Sequence, residues 1–251
     1  MLPSQSGAEL WDAFVHALLA ERPDAECDFG ARHDKVADDG VLLGRLLADG
    51  AEGSVLRLWD NAPHIVISKR LAGLPGAGDA ATWAGARGYP VAVRASGGTA
   101  VVHRPGVLNI SLLRISPRPL RPSQGFDELC DMIGLAGARL GFAFETGKLA
   151  QCYCAGSHDI GWRGRKIAGT AAVLRSNRAF HGGLFHASLV VFGDWRRDLE
   201  LLCGYERLAG LPANYDIGAH TSLMDVQRKE APASYSAAAR SCLGEQPNFS
   251  L

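Results

Sequence analysis

Leu10, Phe14 and Leu18 recur at helical spacing, with Trp11 and Val15 beside them, and predict an amphipathic helix near the N-terminus. Residues 56–67 are strand-forming, and Pro63 divides the run or marks an edge. Residues 71–78 read as a Gly/Pro loop, and 79–88 as a short helix capped by Asp79. Val91 and Val93 alternate, Gly97-Gly98 marks a turn, and Val101-Val102 resumes a strand. Leu108, Ile110 and Leu112 alternate with Asn109 and Ser111, the pattern of a half-buried strand. Residues 116–123 hold Pro117, Pro119 and Pro122 and read as a loop. Ser123 then caps a helix in which Phe126, Leu129 and Ile133 share a face, ending near Gly141. Residues 160–162 and 167–174 read as a hairpin around Arg163-Gly164-Arg165, 184–192 as a strand and 196–203 as a helix. There is no repeat and no regular βαβ alternation. The predicted fold class is α+β: one domain over residues 1–225, mixed β-sheets flanked by helices, followed by a polar Ala/Ser-rich tail over 226–251.

Composition narrows the classes. The chain has 251 residues, 47% apolar and 21% charged, which suits a soluble domain with a sizeable core. Lys plus Arg balances Asp plus Glu at 26 each, so nothing electrostatic argues for a nucleic-acid partner. No apolar run approaches the ~18 residues of a membrane span. Glu9 and Asp12 sit where a secretory core would lie, so the expected place is the cytoplasm, with no membrane partner. The six cysteines are scattered and read as free thiols rather than a disulfide scaffold.

Several motifs fail on spacing. Gly76-Ala77-Gly78 opens a helix, but no acidic strand end follows about 20 residues on, as a dinucleotide site would want. Gly141 to Lys148 has the wrong glycine spacing for a phosphate loop, and Leu149 stands where it would need Ser or Thr. Ser96 near His103 lacks the glycine of a hydrolase elbow, because Arg94 holds that position. His181 and His186 would point to opposite faces of a strand. Cys152 and Cys154 would share a face of a strand, but no second pair completes a structural zinc site, and no metal is expected.

Two segments carry candidate chemistry. In Arg94-Ala95-Ser96-Gly97-Gly98-Thr99, a double glycine between strands admits a ligand close to the backbone, and free N–H groups there can hold a carbonyl or an anion. A plain Gly-Gly hairpin turn fits the same residues. In Cys152-Tyr153-Cys154-Ala155-Gly156, a thiol precedes Lys166, which small residues frame. Thiolate is the reactive species, and Lys166 or Arg165 is the expected nearby cation. A buried cysteine and a solvated lysine would be the plainer reading.

Together the two segments resemble the lipoate–protein ligase and octanoyltransferase superfamily, which includes biotin protein ligases. Its pattern Arg-x-Ser-Gly-Gly-Gly-x-Val-x-His, then Gly-x-Leu-Asn, is met by Arg94, Ser96, Gly97, Gly98, His103, Gly106, Leu108 and Asn109. Lys166, Gly169 and Ala171 meet the later Lys-x-x-Gly-x-Ala. Thr99 replaces the third glycine, and Ser68 stands where many relatives carry glycine. The Tyr-Cys-x-Gly wording before the lysine is closer to the amidotransferase branch, which moves octanoyl groups between proteins, and it selects Cys154 rather than Cys152.

The resemblance implies a ligase-like catalytic domain in which Cys154 forms an acyl thioester and Lys166 polarises the carbonyl or stabilises the oxyanion. Lys166 is then expected beside the substrate rather than in the core, with His158 next in line to activate the thiol. The backbone of Gly97-Gly98 or Gly169-Thr170 would assist. Arg94, Ser96, Thr99, His103, Asn109 and Ala171 would complete the substrate site, and an apolar tunnel would take the eight-carbon chain. Implied partners are lipoyl-domain proteins (the glycine cleavage H protein and the acyltransferase subunits of 2-oxoacid dehydrogenases) or else acyl carrier protein. The enzyme would act as a monomer, with the octanoyl or lipoyl group as substrate and no cofactor. An ATP- and magnesium-dependent lipoate ligase, or a non-catalytic lipoyl- or biotin-binding module, stays open as an alternative.

Overall fold

The computed structural model describes residues 6–30 and 34–230. Helix α1 (Gly7–Glu21) starts at a capping box in which Ser6 and Glu9 each bond the other's backbone N–H. Strand β1 (Glu26–Asp28), helix α2 (Asp38–Asp49) and strands β2 (Gly53–Trp59) and β3 (His64–Ser68) follow. The expected break at Pro63 therefore separates two strands. Next come α3 (Lys69–Ala72), α4 (Ala77–Gly85), β4 (Val91–Arg94), β5 (Val101–His103), β6 (Val107–Ser116) and α5 (Pro122–Arg139). Strands β7 (Glu145–Gly147), β8 (Asp159–Trp162), β9 (Arg165–Ser176) and β10 (His181–Val190) lead to helices α6 (Trp195–Leu208) and α7 (Leu223–Glu230).

Two sheets result, one of seven strands in the order β1-β2-β6-β10-β9-β8-β7 and one of three in the order β4-β3-β5. Helices α1 and α5 close one face of the large sheet over Leu10, Phe14, Leu18, Leu129 and Ile133. Helix α2 covers the other face through Leu43 and Leu47. The small sheet buries Ile65 and Ile67 against α4 and α6. This is the expected mixed α+β architecture.

Several local expectations are corrected. The loop expected over 71–78 is shorter, because α3 runs to Ala72 and α4 starts at Ala77; Ser68 caps α3 by accepting from the Leu71 N–H. Asp79 lies in the first turn of α4, which begins after Gly76 rather than at Asp79. Pro122, not Ser123, opens α5, because its fixed φ suits the first helical position. Strand β6 is buried on both faces, Asn109 and Ser111 included, because it is central and covered from both sides. Residues 226–230, expected to open the polar tail, are helical: α7 runs to Glu230 with Val226 fully buried, and residues 231–251 lie outside the described residues. The β8–β9 hairpin matches the sequence reading, with Arg163 and Gly164 both at positive φ, as a tight two-residue turn requires. No helix of the described residues is long and apolar enough to cross a membrane.

Candidate active site

Strand β3 lies between β4 and β5, parallel to β4 and antiparallel to β5. Residues 95–100 are therefore a crossing loop, and the hairpin reading of Gly97-Gly98 is excluded. Gly98 sits at φ 97°, and a Cβ there would fall 2.7 Å from Cys154 Sγ and 2.6 Å from Arg94 Nη2. Only glycine lets the loop pass this close to the sulfur. The Thr99 backbone N–H donates to Cys154 Sγ at 3.2 Å. Arg94 Nη2 donates to the Thr99 carbonyl at 3.0 Å and to Cys154 Sγ at 3.5 Å. The cation that reaches the sulfur is thus Arg94, not Lys166 or Arg165.

Cys152 and Cys154 lie in a turn-rich loop rather than on a strand. Cys154 is half-buried and takes φ 44°, a strained value for a non-glycine residue. Its loop is moulded around Lys166, which is buried rather than placed in an open substrate site. Lys166 Nζ donates to the Tyr153 and Cys154 carbonyls at 2.9 and 3.0 Å and lies 3.0 Å from Asp159 Oδ2. An ammonium has three N–H donors, so these partners use all of them. Gly169 lets the lysine lie flat, since a Cβ there would stand 3.2 Å from its Cε and Nζ. Asp159 Oδ2 also accepts from the Gly156 N–H at 2.9 Å. Burial raises the Asp159 pKa, and the Lys166 charge opposes that rise. Cys152 is buried with its thiol on the Leu149 carbonyl, and burial pushes its pKa up.

A small polar cavity adjoins this loop, sharing Arg94, Val36 and Val66 with the surroundings of Cys154. It holds about 20 Å³, the room of roughly one water. Trp59 and Leu184 give it apolar wall, but Ser96, His103, His186 and Asp39 line it too, so its walls are not the purely apolar ones expected. Ser96 Oγ and His186 Nε2 share a hydrogen bond at 2.7 Å. His103 bonds Ser188 at 3.2 Å, and Ser188 donates to Asn109 at 2.8 Å. Asn109 therefore supports His103 from behind. Burial first, and the Arg94 charge second, push His103 and His186 down to about 3, so both rings are neutral at physiological pH.

Arg94, Ser96, Gly98, Thr99, His103 and Lys166 thus converge on one loop and one cavity. Thr170 lies further along β9, its hydroxyl on the His158 carbonyl, and Ala171 pairs in register with His186. The His158 ring stacks on Phe126 at 4.5 Å, and its Nδ1 shares a hydrogen bond with Ser157 Oγ at 2.9 Å. Sequence reasoning missed Asp159, His186, His220 and Trp59. His186 was visible on its strand, but nothing in the sequence paired it with Ser96, 90 residues away. No cluster of His, Cys, Asp and Glu among the described residues is placed to hold a metal.

Residues 39–192 match the lipoyl protein ligase A/B catalytic domain family. The chain belongs to that family. An octanoyl-[GcvH]:protein N-octanoyltransferase of Kyrpidia tusciae is 33% identical over 195 residues, covering 72% of this chain and 65% of the relative. One of Geobacillus kaustophilus is 31% identical, covering 62% of this chain and 53% of that protein. The chain thus spans between half and two thirds of the length of these curated relatives. Among solved structures, lipoate-protein ligase A bound with ATP superposes with TM-score 0.62 at 18% identity, covering 88% of this chain and 82% of that one. That likeness places the fold of this member of the lipoyl protein ligase family, and the expected ligase-type catalytic domain is what the chain folds into.

Proposed function

We propose that this family member is an acyltransferase that moves an octanoyl group from an octanoylated donor protein, through a Cys154 thioester, to a lysine of a lipoyl-domain acceptor. The observation that carries the reading is the Cys154 sulfur, set as acceptor of the Thr99 N–H and the Arg94 guanidinium. The names of the curated relatives support octanoylated GcvH as donor. In the first half-reaction the Cys154 thiolate attacks the octanoyl amide carbonyl, the C–N bond breaks, and the donor lysine leaves as an amine after taking a proton. In the second, the neutral acceptor amine attacks the thioester, loses a proton, and the C–S bond breaks to return the thiolate. As the carbonyl oxygen gains charge, Arg94 and the Thr99 N–H are the donors nearest the reacting sulfur. Lys166 acts by holding the Tyr153 and Cys154 carbonyls. The acyl chain takes the cavity beside Ser96 and Trp59, which must widen to admit it.

This reading needs no nucleotide or metal and fits a monomer in the cytoplasm. The free thiols at Cys27, Cys130, Cys152, Cys154 and Cys203 suit a reducing compartment. The test is intact mass after incubation with octanoylated GcvH, without ATP or magnesium. One octanoyl group should appear on the wild type and on Cys152→Ala, and none on Cys154→Ala. A strict need for ATP and free lipoate would instead make the protein a ligase.

A further inference from the structure

The segment after α6 folds back beneath the Cys154 loop. The Asp216 N–H donates to the Gln151 carbonyl at 3.0 Å, and the Thr221 N–H to the Lys166 carbonyl at 3.0 Å. His220 lies between these two ties, buried, in a parallel bridge with Lys166. Its ring stacks on Tyr153, with centroids 5.1 Å apart and planes 6° from parallel. His220 Nδ1 lies 2.9 Å from the Asp216 carbonyl, and the Tyr153 backbone N–H points at Nε2 over 3.2 Å. A carbonyl can only accept and an amide N–H can only donate. These partners therefore fix one neutral tautomer, with the proton on Nδ1 and the lone pair of Nε2 facing Tyr153.

Tyr153 is the residue before Cys154. Lys166 grips the carbonyls of both, and His220 is the acceptor for the N–H on the upstream side. Cys154 holds its positive φ between these anchors, and in that conformation its sulfur accepts from the Thr99 N–H. We infer that His220 is a positioning residue for Cys154, fixing the nucleophile's backbone through a neutral imidazole acceptor. This rests on Cys154 being the nucleophile.

Three variants separate acceptor, ring and fold. In His220→Gln the amide oxygen can stand where Nε2 does. His220→Phe keeps the stacked ring and has no acceptor. His220→Asn reaches only to the position of Nδ1, and it serves should His220→Phe not fold. Transfer from octanoylated GcvH is measured as kcat and KM, with amide exchange at Tyr153 and thermal melting alongside. A displaced nucleophile should lower kcat roughly 10- to 100-fold in His220→Phe and His220→Asn, with KM little changed and faster exchange at Tyr153. His220→Gln should recover most of kcat and the Tyr153 protection. Wild-type kcat in a folded His220→Phe with fast Tyr153 exchange would overturn the inference, as would equal losses in His220→Gln and His220→Phe. Absence of an acyl group on wild-type Cys154 would overturn the nucleophile reading instead.

Discussion

At the scale of single residues, the site depends on atoms that are missing as much as on those present. Gly98 leaves room for a sulfur and a guanidinium where a methyl group would stand within 3 Å of both. Its φ of 97° adds strain for any residue with a Cβ. Gly98→Ala should therefore push Cys154 and Arg94 apart, abolish acyl transfer and destabilise the fold by about 1–3 kcal/mol. Turnover and chemical denaturation of the one variant check both parts. A functional Gly98→Ala would mean that the sulfur does not work from the place it occupies here. Thr99, which replaces the third glycine of the family pattern, contributes through its backbone N–H, an atom every residue but proline carries. The replacement therefore leaves the hydrogen bond to the sulfur intact.

At the scale of elements, Lys166 on β9 and Asp159 at the start of β8 act as one unit. Both are buried, and the Cys154 loop wraps their contact. Removing one partner of a buried ion pair strands the other, whereas removing both can be close to neutral. Lys166→Met should cost about 3–5 kcal/mol of stability and nearly all activity. Adding Asp159→Leu should return much of the stability and none of the activity, because the Tyr153 and Cys154 carbonyls stay unheld. Denaturation and turnover of the single and double variants measure this. The expectation that Lys166 lies beside the substrate rather than in the core is thereby revised, since this lysine is buried. Helix α2 shows the converse difficulty. Asp39 in its first turn occupies a buried position, paired with Arg57 and Ser111, so a charged residue of the type expected at a solvated helix start belongs to the core.

At the scale of the whole molecule, three imidazoles are held neutral, His103 and His220 buried and His186 half-buried. His103 and His186 are pushed down to about 3 and His220 to about 4, with burial the leading cause for each. An unfolded chain protonates histidine near pH 6.5. Below that pH the unfolded state binds protons that the folded state refuses, so stability falls as pH drops from about 6.5 towards 4. Each such group contributes about 1.4 kcal/mol per pH unit over that window. His220→Gln removes one of them. The loss of unfolding free energy between pH 7 and pH 5 should be smaller in that variant by about 2 kcal/mol. Urea titrations of both proteins at the two pH values supply the comparison, and equal losses would show that His220 is protonated in the folded state.

The sequence by itself determined the element types over most of the chain, the α+β class, and the two segments that meet at the site. These follow from short-range causes: apolar period, turn residues and the steric freedom of glycine. The hairpin at Arg163-Gly164 and the break at Pro63 are legible for that reason. Only the tertiary structure decided which cation faces Cys154, because nearness in sequence favours Lys166 or Arg165, whereas Arg94 reaches the sulfur from β4, 60 residues away. It also decided that Lys166 is buried beneath the loop, that Ser96 meets His186, and that His220 holds Tyr153. Each of these contacts joins residues distant in sequence, and its geometry is set by strand order and packing. Local pattern carries no information about either.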